Sequence, residues 1–268
     1  MPADIAGVFL CGARRTGTDG RNAAYYIMSQ FSYRPLADAL RPTTFDEVVG
    51  QSALQATALE KSRTSSLILW GPPGTGKTTI ARVLGAETDS IFSGISAVFD
   101  GVGELRKVFA VAEERARDGT QTILFVDEIH RFNKAQQDAL LPAVETGTIR
   151  LIGATTENPY FSLNSALLSR VQIIVLSSLD EAALEQLISR AETHYQRALP
   201  VTDEARAAVI AYADGDGRYV LNLVERLYDS AGDTLLSMNE VAALLSQRAL
   251  NYDKGGDDHY NLISAFYK

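Results

Sequence analysis

The chain has 268 residues, of which 46% are hydrophobic and 22% are charged. This composition is that of an ordinary globular protein, and it excludes a disordered, collagen-like or purely coiled-coil chain. The formal net charge of −8 argues against a surface that binds nucleic acid everywhere, although a local basic face stays open.

Cysteine usage and hydropathy indicate the cellular compartment. Cys11 is the single cysteine, so it forms no disulfide within the chain, and a reducing compartment is the default. No apolar run approaches the roughly 18–20 residues that span a bilayer. The short apolar patch at residues 8–11 precedes Arg14 and Arg15, which is the reverse of the order in a secretory signal. The sequence therefore predicts a cytoplasmic protein.

The charge pattern divides the chain near Ser177. Residues 177–268 hold 8 Lys and Arg against 15 Asp and Glu, so most of the acidity lies in the last third. Apolar runs typical of strands also stop at this boundary, and amphipathic helical patterns follow it. We predict a poorly ordered extension over 1–33, an α/β domain over 34–176, a helical lid domain over 177–250 and the start of an incomplete C-terminal helical domain over 251–268.

Four short apolar runs predict a parallel sheet. They cover residues 67–70, 123–126, 151–154 and 173–176. Continuous apolar runs without alternation suit strands that are buried on both faces. Amphipathic stretches such as Val102–Arg117 separate them, which is the order of elements in an α/β doubly wound domain. Pro142 lies inside another helical stretch and predicts a kink or a break there.

The first apolar run leads into an eight-residue phosphate-binding pattern. Residues 71–78 read GPPGTGKT, which fits the pattern G-x-x-x-x-G-K-[ST]. Glycines let such a loop turn its N–H groups toward phosphate oxygens, and the helix that follows presents its positive end to them. We expect Lys77 to reach the outer phosphates of a nucleotide and the Thr78 hydroxyl to bind Mg²⁺. The candidate nucleotide-binding residues in this segment are Gly71, Pro72, Pro73, Gly74, Thr75, Gly76, Lys77, Thr78 and Thr79.

Two carboxylates end the second apolar run. Asp127 and Glu128 follow residues 123–126, and Asp127 lies 50 positions after Lys77. Acids at the tip of a buried strand lie where α/β sheets bind their ligands. We predict that Asp127 holds Mg²⁺ and that Glu128 orients and polarises the attacking water, which completes a nucleotide hydrolysis site. His130 is expected to be a structural neighbour of this site and not a metal ligand.

Further polar candidates follow from their positions along the chain. Thr155 and Thr156 end the third apolar run, where a hydroxyl could help to position the water. Arg170 precedes the fourth run, from where it could reach the γ-phosphate of a neighbouring subunit in a ring. Arg218 begins a helix of the acidic third and could reach the phosphates within its own chain. The predicted catalytic residues are therefore Lys77, Glu128, Thr156 and Arg170.

The segment FVDEIHRFNKAQQD at residues 125–138 is more specific than the loop or the acid pair alone. Together with LWGPPGTGKTT at 69–79, GATTENP at 153–159 and YDKGGD at 252–257, it resembles the replication-associated recombination protein A family of clamp-loader-like AAA+ ATPases. The resemblance covers about residues 35–268. It implies a P-loop AAA+ parallel sheet with flanking helices, followed by a small all-helical lid domain.

The same resemblance implies an activity and partners. The implied cofactors are ATP and Mg²⁺, and the implied activity is ATP hydrolysis stimulated by DNA at stalled or damaged replication forks. The implied partners are DNA forks and single-strand/duplex junctions, single-strand DNA-binding protein and further copies of the chain. The implied location is the cytoplasm, at the nucleoid.

The resemblance also assigns roles to single residues. Thr156 or its neighbour Thr155 matches sensor 1, and Arg218 matches sensor 2. Arg170 matches the finger that acts on a neighbouring subunit. The segment that wraps the adenine matches Leu40-Arg41-Pro42 and Val49-Gly50-Gln51, of which Arg41, Pro42 and Val49 are the predicted binding residues.

Two alternatives stay open. A branch-migration motor similar to RuvB shares the His-Arg and Ala-Thr-Thr motifs, but that family inserts a long β-hairpin where residues 146–150 connect helix to strand here. The other alternative is a non-catalytic assembly subunit. Clamp-loader subunits of that kind lose residues like Lys77 or Glu128, whereas this chain keeps both. With any of these functions, contacts to DNA must come from a local face such as that of Arg131 and Lys134.

Overall fold

The computed structural model of the chain describes residues 34–51, 65–231 and 234–244. A five-stranded parallel sheet lies at its centre. The strands are β1 (Leu67–Trp70), β2 (Ile91–Ser96), β3 (Thr122–Asp127), β4 (Ile149–Thr155) and β5 (Gln172–Val175). Their order across the sheet is β2-β3-β4-β1-β5, so β1 and β3 lie on either side of β4.

Helices precede, separate and follow these strands. Those of the α/β part are α1 (Leu36–Ala39), α2 (Lys77–Glu87), α3 (Val102–Arg117), α4 (Lys134–Glu145), α5 (Pro159–Ser162) and α6 (Ser165–Leu168). The lid contains α7 (Glu181–Tyr195), α8 (Asp203–Ala213) and α9 (Gly217–Ala231). A further helix is described over residues 238–244.

Both faces of the sheet are covered by helices, which is why its strands are continuous apolar runs. On one face, Ile80 of α2 packs in a cluster with Leu69 of β1. On the other face, Leu105 of α3 and Leu140 of α4 pack in a cluster with Ile68. All seven residues of β4 are buried, as a central strand requires.

The register of the strands brings their carboxyl ends to one edge of the sheet. Trp70 pairs with Thr155 of β4 and with Val175 of β5, and Ser96 pairs with Asp127. Neighbouring strands in a sheet are about 4.8 Å apart. The segments that follow β1, β3 and β4 therefore start side by side, and they are the segments that carry the predicted loop, acids and threonines.

The edge strand β2 is the strand that apolar runs do not predict. Ser93 and Gly94 interrupt its hydrophobic sequence, and Ile91 at its start is 40% exposed. An edge strand is only partly buried, so it needs no continuous apolar run. Its carboxyl end still aligns with Asp127 of β3.

Of the kink or break predicted at Pro142, the break is wrong, because α4 continues through this residue to Glu145. A proline within a helix costs about 3 kcal/mol, since it removes one hydrogen bond and crowds the preceding turn. Here the proline lies in the last turn, and the N–H of Thr146 still donates to its carbonyl at 3.0 Å. Burial of Leu140, two residues earlier, offsets the cost.

The lid helices pack around a single apolar cluster, which α1 also joins. The side chain of Asp180 accepts a hydrogen bond from the N–H of Ala183 and so caps α7. Leu36 of α1 is buried in the same cluster, and its N–H donates to Glu225 Oε1 of α9 at 2.9 Å. The chain before the sheet is therefore fixed to the lid.

Some predictions fall beyond the described residues. The N-terminal extension up to residue 33 and the C-terminal segment 251–268, with its YDKGGD motif, lie outside them. The domain limits at 34–176 and 177–250 stay predictions. Within the described part of the chain, no helix is long and apolar enough to cross a membrane.

Candidate active site

A glycine-containing loop connects β1 to α2 and takes the shape that its sequence predicts. Gly74 and Gly76 have φ values of +69° and +90°, a region that glycine enters without steric cost. A Cβ atom on Gly71 would lie 2.4 Å from the carbonyl oxygen of Leu176, so only glycine fits between the loop and the end of β5. The first turn of α2 begins at Lys77, and its free N–H groups make this end attractive to anions.

Lys77, the first residue of α2, is only 8% exposed. Its ammonium group donates to the carbonyl oxygens of Gly71 at 2.7 Å and Pro72 at 2.8 Å. Burial lowers the pKa of Lys77, and the nearby carboxylates of Glu128 and Asp127 oppose that lowering. The cation of the loop and the two acids therefore lie within electrostatic reach of one another, as a shared phosphate and metal cluster requires.

The two acids occupy the carboxyl end of β3. Asp127 is the last residue of the strand, and Glu128 has left-handed backbone angles of φ 53° and ψ 46°. Such a conformation is strained for a residue with a side chain, and strain of this kind is concentrated at functional sites. The hydroxyl of Thr156 faces Glu128 and donates to its Oε2 at 3.5 Å.

A cleft brings most of the predicted site residues together. It is lined by the predicted residues Arg41, Pro42, Val49, Pro73, Gly74, Thr75, Gly76, Lys77, Thr78, Thr79, Asp127, Glu128, Thr156 and Arg218. Gly71 and Pro72 lie behind this lining, where they hold the Lys77 ammonium group. Asp127 and Thr78 supply oxygen atoms to the same cleft, and oxygen ligands are those that Mg²⁺ prefers. The residues present therefore fit a triphosphate with its magnesium ion.

Part of the cleft lining is apolar. It consists of Ala37, Leu40, Val48, Leu179, Leu187 and Leu221 together with the predicted Pro42 and Val49. A flat, weakly polar group such as a nucleotide base suits this lining. Arg41 also lines the cleft, with its Nη1 3.4 Å from the Thr79 hydroxyl and its Nη2 2.8 Å from Asp38.

Two residues hold the cleft together through contacts that the sequence does not predict, although Gln51 lies in the segment that matches the adenine-wrapping one. Gln51 donates from Nε2 to the carbonyl of Ser177 at 2.8 Å and contacts that of Thr75 at 3.5 Å, so it joins the loop to the start of the lid. Asp216 lies directly against Gly74, where a Cβ atom would meet its Oδ1 at 1.8 Å. Both contacts join segments that are far apart in the sequence, so no local pattern reveals them.

The lid supplies Arg218 to the cleft through this contact. The N–H of Gly217 donates to the carbonyl of Gly74 at 3.2 Å, and Asp216 caps the first turn of α9 through the N–H of Tyr219. Arg218 is the second residue of α9 and lines the cleft. Burial is the main cause of the lowered pKa of Lys77, and the positive charge of Arg218 adds a smaller lowering.

Arg170 is held away from the cleft of its own chain. Its Nη2 lies 2.6 Å from Glu145 Oε1, and its Nη1 donates to the carbonyl of Ala166 at 2.7 Å. It is not among the described residues that line the cleft. A role in hydrolysis thus requires the nucleotide of another chain, and this role stays a prediction.

His130 connects the acids to the end of β4. Its side chain is 6% exposed, and its Nδ1 lies 3.2 Å from Glu128 Oε2 and 2.9 Å from Thr155 Oγ1. Thr155 is fully buried, so of the two candidate threonines it is Thr156 that faces the cleft. The expected structural neighbour of the acids is therefore in direct contact with one of them.

Two family models match the chain. One is described as "ATPase family associated with various cellular activities (AAA)" and matches residues 67–179. The other is described as "AAA C-terminal domain" and matches residues 194–268. With the parallel sheet, the phosphate-binding loop, the acid pair and the helical lid, they define the class of protein as AAA+.

Similar proteins show to which family of AAA+ proteins the chain belongs. Replication-associated recombination protein A of Escherichia coli (strain K12) is 42% identical over 256 residues, which are 90% of this chain and 57% of that protein. The protein of the same name from Coxiella burnetii is 43% identical over 257 residues, covering 90% of this chain and 58% of the relative. The chain belongs to the replication-associated recombination protein A family. It spans 57% to 58% of the length of these two relatives.

A eukaryotic relative and a solved structure are also similar to this chain. ATPase WRNIP1 of Dictyostelium discoideum is 38% identical over 277 residues, covering 91% of this chain and 32% of that protein. The structure of the Thermotoga maritima RuvB Holliday junction branch migration motor has a TM-score of 0.64 and 29% identity, covering 82% of this chain and 76% of that chain. The RuvB motor thus shares the fold, while the relatives of higher identity carry the family name.

Proposed function

We propose that this chain binds magnesium and ATP in the cleft, hydrolyses the ATP and uses the energy on DNA at stalled or damaged replication forks. The observation that carries the ATPase proposal is the convergence of Lys77, Asp127, Glu128 and Arg218 on one cleft at the carboxyl edge of a parallel sheet. Ligands bind at this edge in open α/β sheets. The family of the chain supports the DNA part of the proposal.

The loop and the polar side chains of the cleft each have a chemical role in this proposal. The N–H groups of the loop and the Lys77 ammonium group bind the phosphates, and Thr78 and Asp127 would hold Mg²⁺. Bound Mg²⁺ neutralises charge on the phosphate oxygens. Glu128 orients the attacking water and polarises it as a base, and the Thr156 hydroxyl, 3.5 Å from Glu128 Oε2, helps to position the same water. Arg218 places a positive charge beside the phosphates from the lid.

ATP turnover with and without forked DNA tests the proposal directly. We expect the protein to release phosphate from ATP and to do so faster when a fork with single-strand/duplex junctions is added. Blunt duplex of the same length and composition is the control for DNA in general. Phosphate release no faster than in protein-free solution contradicts the ATPase proposal. Equal rates with and without the fork contradict the proposed action on forks.

The proposed DNA contacts are local, because the chain as a whole is acidic. Arg131 and Lys134 are both exposed, and both follow the acids at the carboxyl edge of the sheet. Positive charges at these positions can neutralise phosphates of a DNA strand and release their counterions. We therefore place a DNA-binding face beside the active site.

Replacing both Arg131 and Lys134 with alanine will weaken forked-DNA binding and reduce its salt dependence. Each lost phosphate contact lowers the slope of log affinity against log salt by about 1, so the double variant loses about 2. Fluorescence anisotropy of a labelled fork at several salt concentrations measures this slope. The control is the Arg115→Ala, Arg117→Ala pair in the last turn of α3, because that helix runs back to the opposite edge of the sheet. An unchanged slope in the first pair rules out this face.

Partners and location complete the proposal. Single-strand DNA-binding protein and further copies of the chain are proposed from the family alone, with Arg170 acting on the nucleotide of a neighbouring copy. The position of Arg170 outside the cleft of its own chain supports an action on a neighbouring copy. We place the protein in the cytoplasm at the nucleoid, where its proposed DNA substrate is found.

The two alternatives give different results in the same assays. The fold shared with the RuvB motor favours branch migration as the second candidate function, yet only residues 146–148 connect α4 to β4, which leaves no room for a long hairpin. A branch-migration motor would respond to four-way junctions more than to forks. A non-catalytic subunit would bind ATP without releasing phosphate.

A further inference from the structure

The ring of His130 is enclosed between the acid pair and the end of β4. Its Nδ1 lies 2.9 Å from Thr155 Oγ1 and 3.2 Å from Glu128 Oε2. Its Nε2 lies 3.5 Å from Glu157 Oε1, on a side chain that is 62% exposed. The Nδ1 side of the ring thus makes the close contacts, and the Nε2 side makes a long one.

These contacts determine which ring nitrogen carries a proton. An ionised carboxylate such as Glu128 only accepts hydrogen bonds. The hydroxyl of Thr155 donates to the carbonyl of Glu157 at 3.1 Å, which leaves its oxygen to act as an acceptor toward His130. Both neighbours of Nδ1 are therefore placed as acceptors, which favours the proton on Nδ1: the N–H points to Thr155 Oγ1 at 2.9 Å, and the Glu128 carboxylate lies beside it at 3.2 Å.

The position of the ring is itself fixed by the sheet. Thr155 is the last residue of β4 and fully buried, and its carbonyl accepts the N–H of Gly71 at the start of the phosphate-binding loop, at 3.2 Å. Hydrogen bonds therefore connect the loop to His130 through Thr155, and the His130 Nδ1 atom lies 3.2 Å from Glu128 Oε2. The other contact of the Glu128 carboxylate, from Thr156, is longer at 3.5 Å.

We propose that His130 is a positioning residue for hydrolysis, which holds the Glu128 carboxylate through its Nδ1–H and fixes it to the end of β4. The proposal rests on the proposed ATPase function. Glu128 is about one third exposed, and its carboxylate would turn toward solvent without this donor. His130 is not among the described residues that line the cleft, so its loss affects the rate of the chemical step and not the binding of ATP.

Two amide substitutions distinguish the role of the ring Nδ1 from that of Nε2. Asparagine places its Nδ2 one bond from Cγ, where Nδ1 of the histidine lies, while glutamine places its Nε2 further out, near the histidine Nε2. We expect His130→Asn to keep kcat within about threefold of the wild type. We expect His130→Gln and His130→Ala to lower kcat on the order of tenfold, the rate equivalent of one lost hydrogen bond to a charged group. KM for ATP and the affinity for a fluorescent ATP analogue stay unchanged in all three.

The control variant is His194→Ala, which removes an exposed histidine from the lid helix α7 and leaves kcat unchanged. Melting temperatures of all variants identify any that fail to fold. Equal losses in the asparagine and glutamine variants overturn the proposal, and so does a full wild-type rate in His130→Ala. A loss of nucleotide affinity that accounts for the lower rate overturns it as well.

A second measurement does not depend on turnover. Long-range proton–nitrogen correlation spectra of the ¹⁵N-labelled protein report which ring nitrogen is protonated, and the His130→Asn spectrum assigns the His130 signals. We expect the Nδ1–H form for this residue, and the Nε2–H form would overturn the proposal. Failure of the ATPase proposal is recognised separately, because the wild-type protein then releases phosphate no faster than protein-free solution. If Glu128→Gln abolishes turnover while His130→Ala does not reduce it, only the role of His130 is wrong.

Discussion

Replacing Glu128 with glutamine will reduce ATP turnover by roughly 10²- to 10⁴-fold while ATP still binds, because that is the usual contribution of a positioned general base. Glutamine has nearly the same shape and keeps one oxygen for the contacts with Thr156 and His130. Its amide is a far weaker base than a carboxylate, so the attacking water is no longer polarised. Steady-state phosphate release and titration with a fluorescent ATP analogue measure the two properties separately.

The comparison variant for this experiment is Glu114→Gln. It makes the same chemical change at an exposed position on α3 and should retain the wild-type rate. The backbone at Glu128 is left-handed, and glutamine adopts this conformation no less readily than glutamate, so the variant should fold. Full turnover in Glu128→Gln would show that another group activates the water.

Replacing Lys77 with alanine will lower the affinity for ATP by roughly 10- to 100-fold. Hydrogen bonds to charged groups contribute about 1.5–3 kcal/mol each, and a factor of ten in affinity corresponds to about 1.4 kcal/mol. The ammonium group is held at the loop by Gly71 and Pro72, so it needs little rearrangement to turn to the outer phosphates. Titration with a fluorescent ATP analogue measures the loss.

The stability of the ligand-free Lys77→Ala protein distinguishes lost binding from lost folding. Burial lowers the pKa of Lys77, which means that enclosing its charge is unfavourable, so its removal should not lower the melting temperature. Lys107→Ala serves as the reference, because this lysine is exposed on α3 and pairs with Glu104. Unchanged affinity for ATP in Lys77→Ala would contradict the proposed phosphate site.

Features that are local in the sequence were predictable, and they make up most of the site. The residues of GPPGTGKT are consecutive, and their spacing alone predicts the loop and the start of α2 at Lys77. β1 coincides with its apolar run, and the other runs fall short of or exceed their strands by a few residues, since strand ends take polar residues. The parallel order follows because helices separate buried strands.

Features that depend on distant contacts were not predictable. Gln51 reaches Ser177 across 126 positions of the chain, and Asp216 meets Gly74 through the position of the lid. The sequence left both Thr155 and Thr156 open as the sensor 1 residue. Which hydroxyl is buried depends on the way each side chain faces at the end of β4, and the local sequence does not determine this. β2 and the uninterrupted α4 differ from expectation because packing against neighbours outweighs the local pattern.

The close approach of Asp216 to Gly74 has a mechanical consequence. Asp216 also anchors the first turn of α9, and the next residue, Gly217, is hydrogen-bonded to the carbonyl of Gly74. Any change in the path of the loop backbone at Gly74 must therefore displace the end of a 15-residue helix. Such a helix acts as a lever about 22 Å long at 1.5 Å per residue, which converts a small rearrangement around the phosphates into a larger swing at its far end.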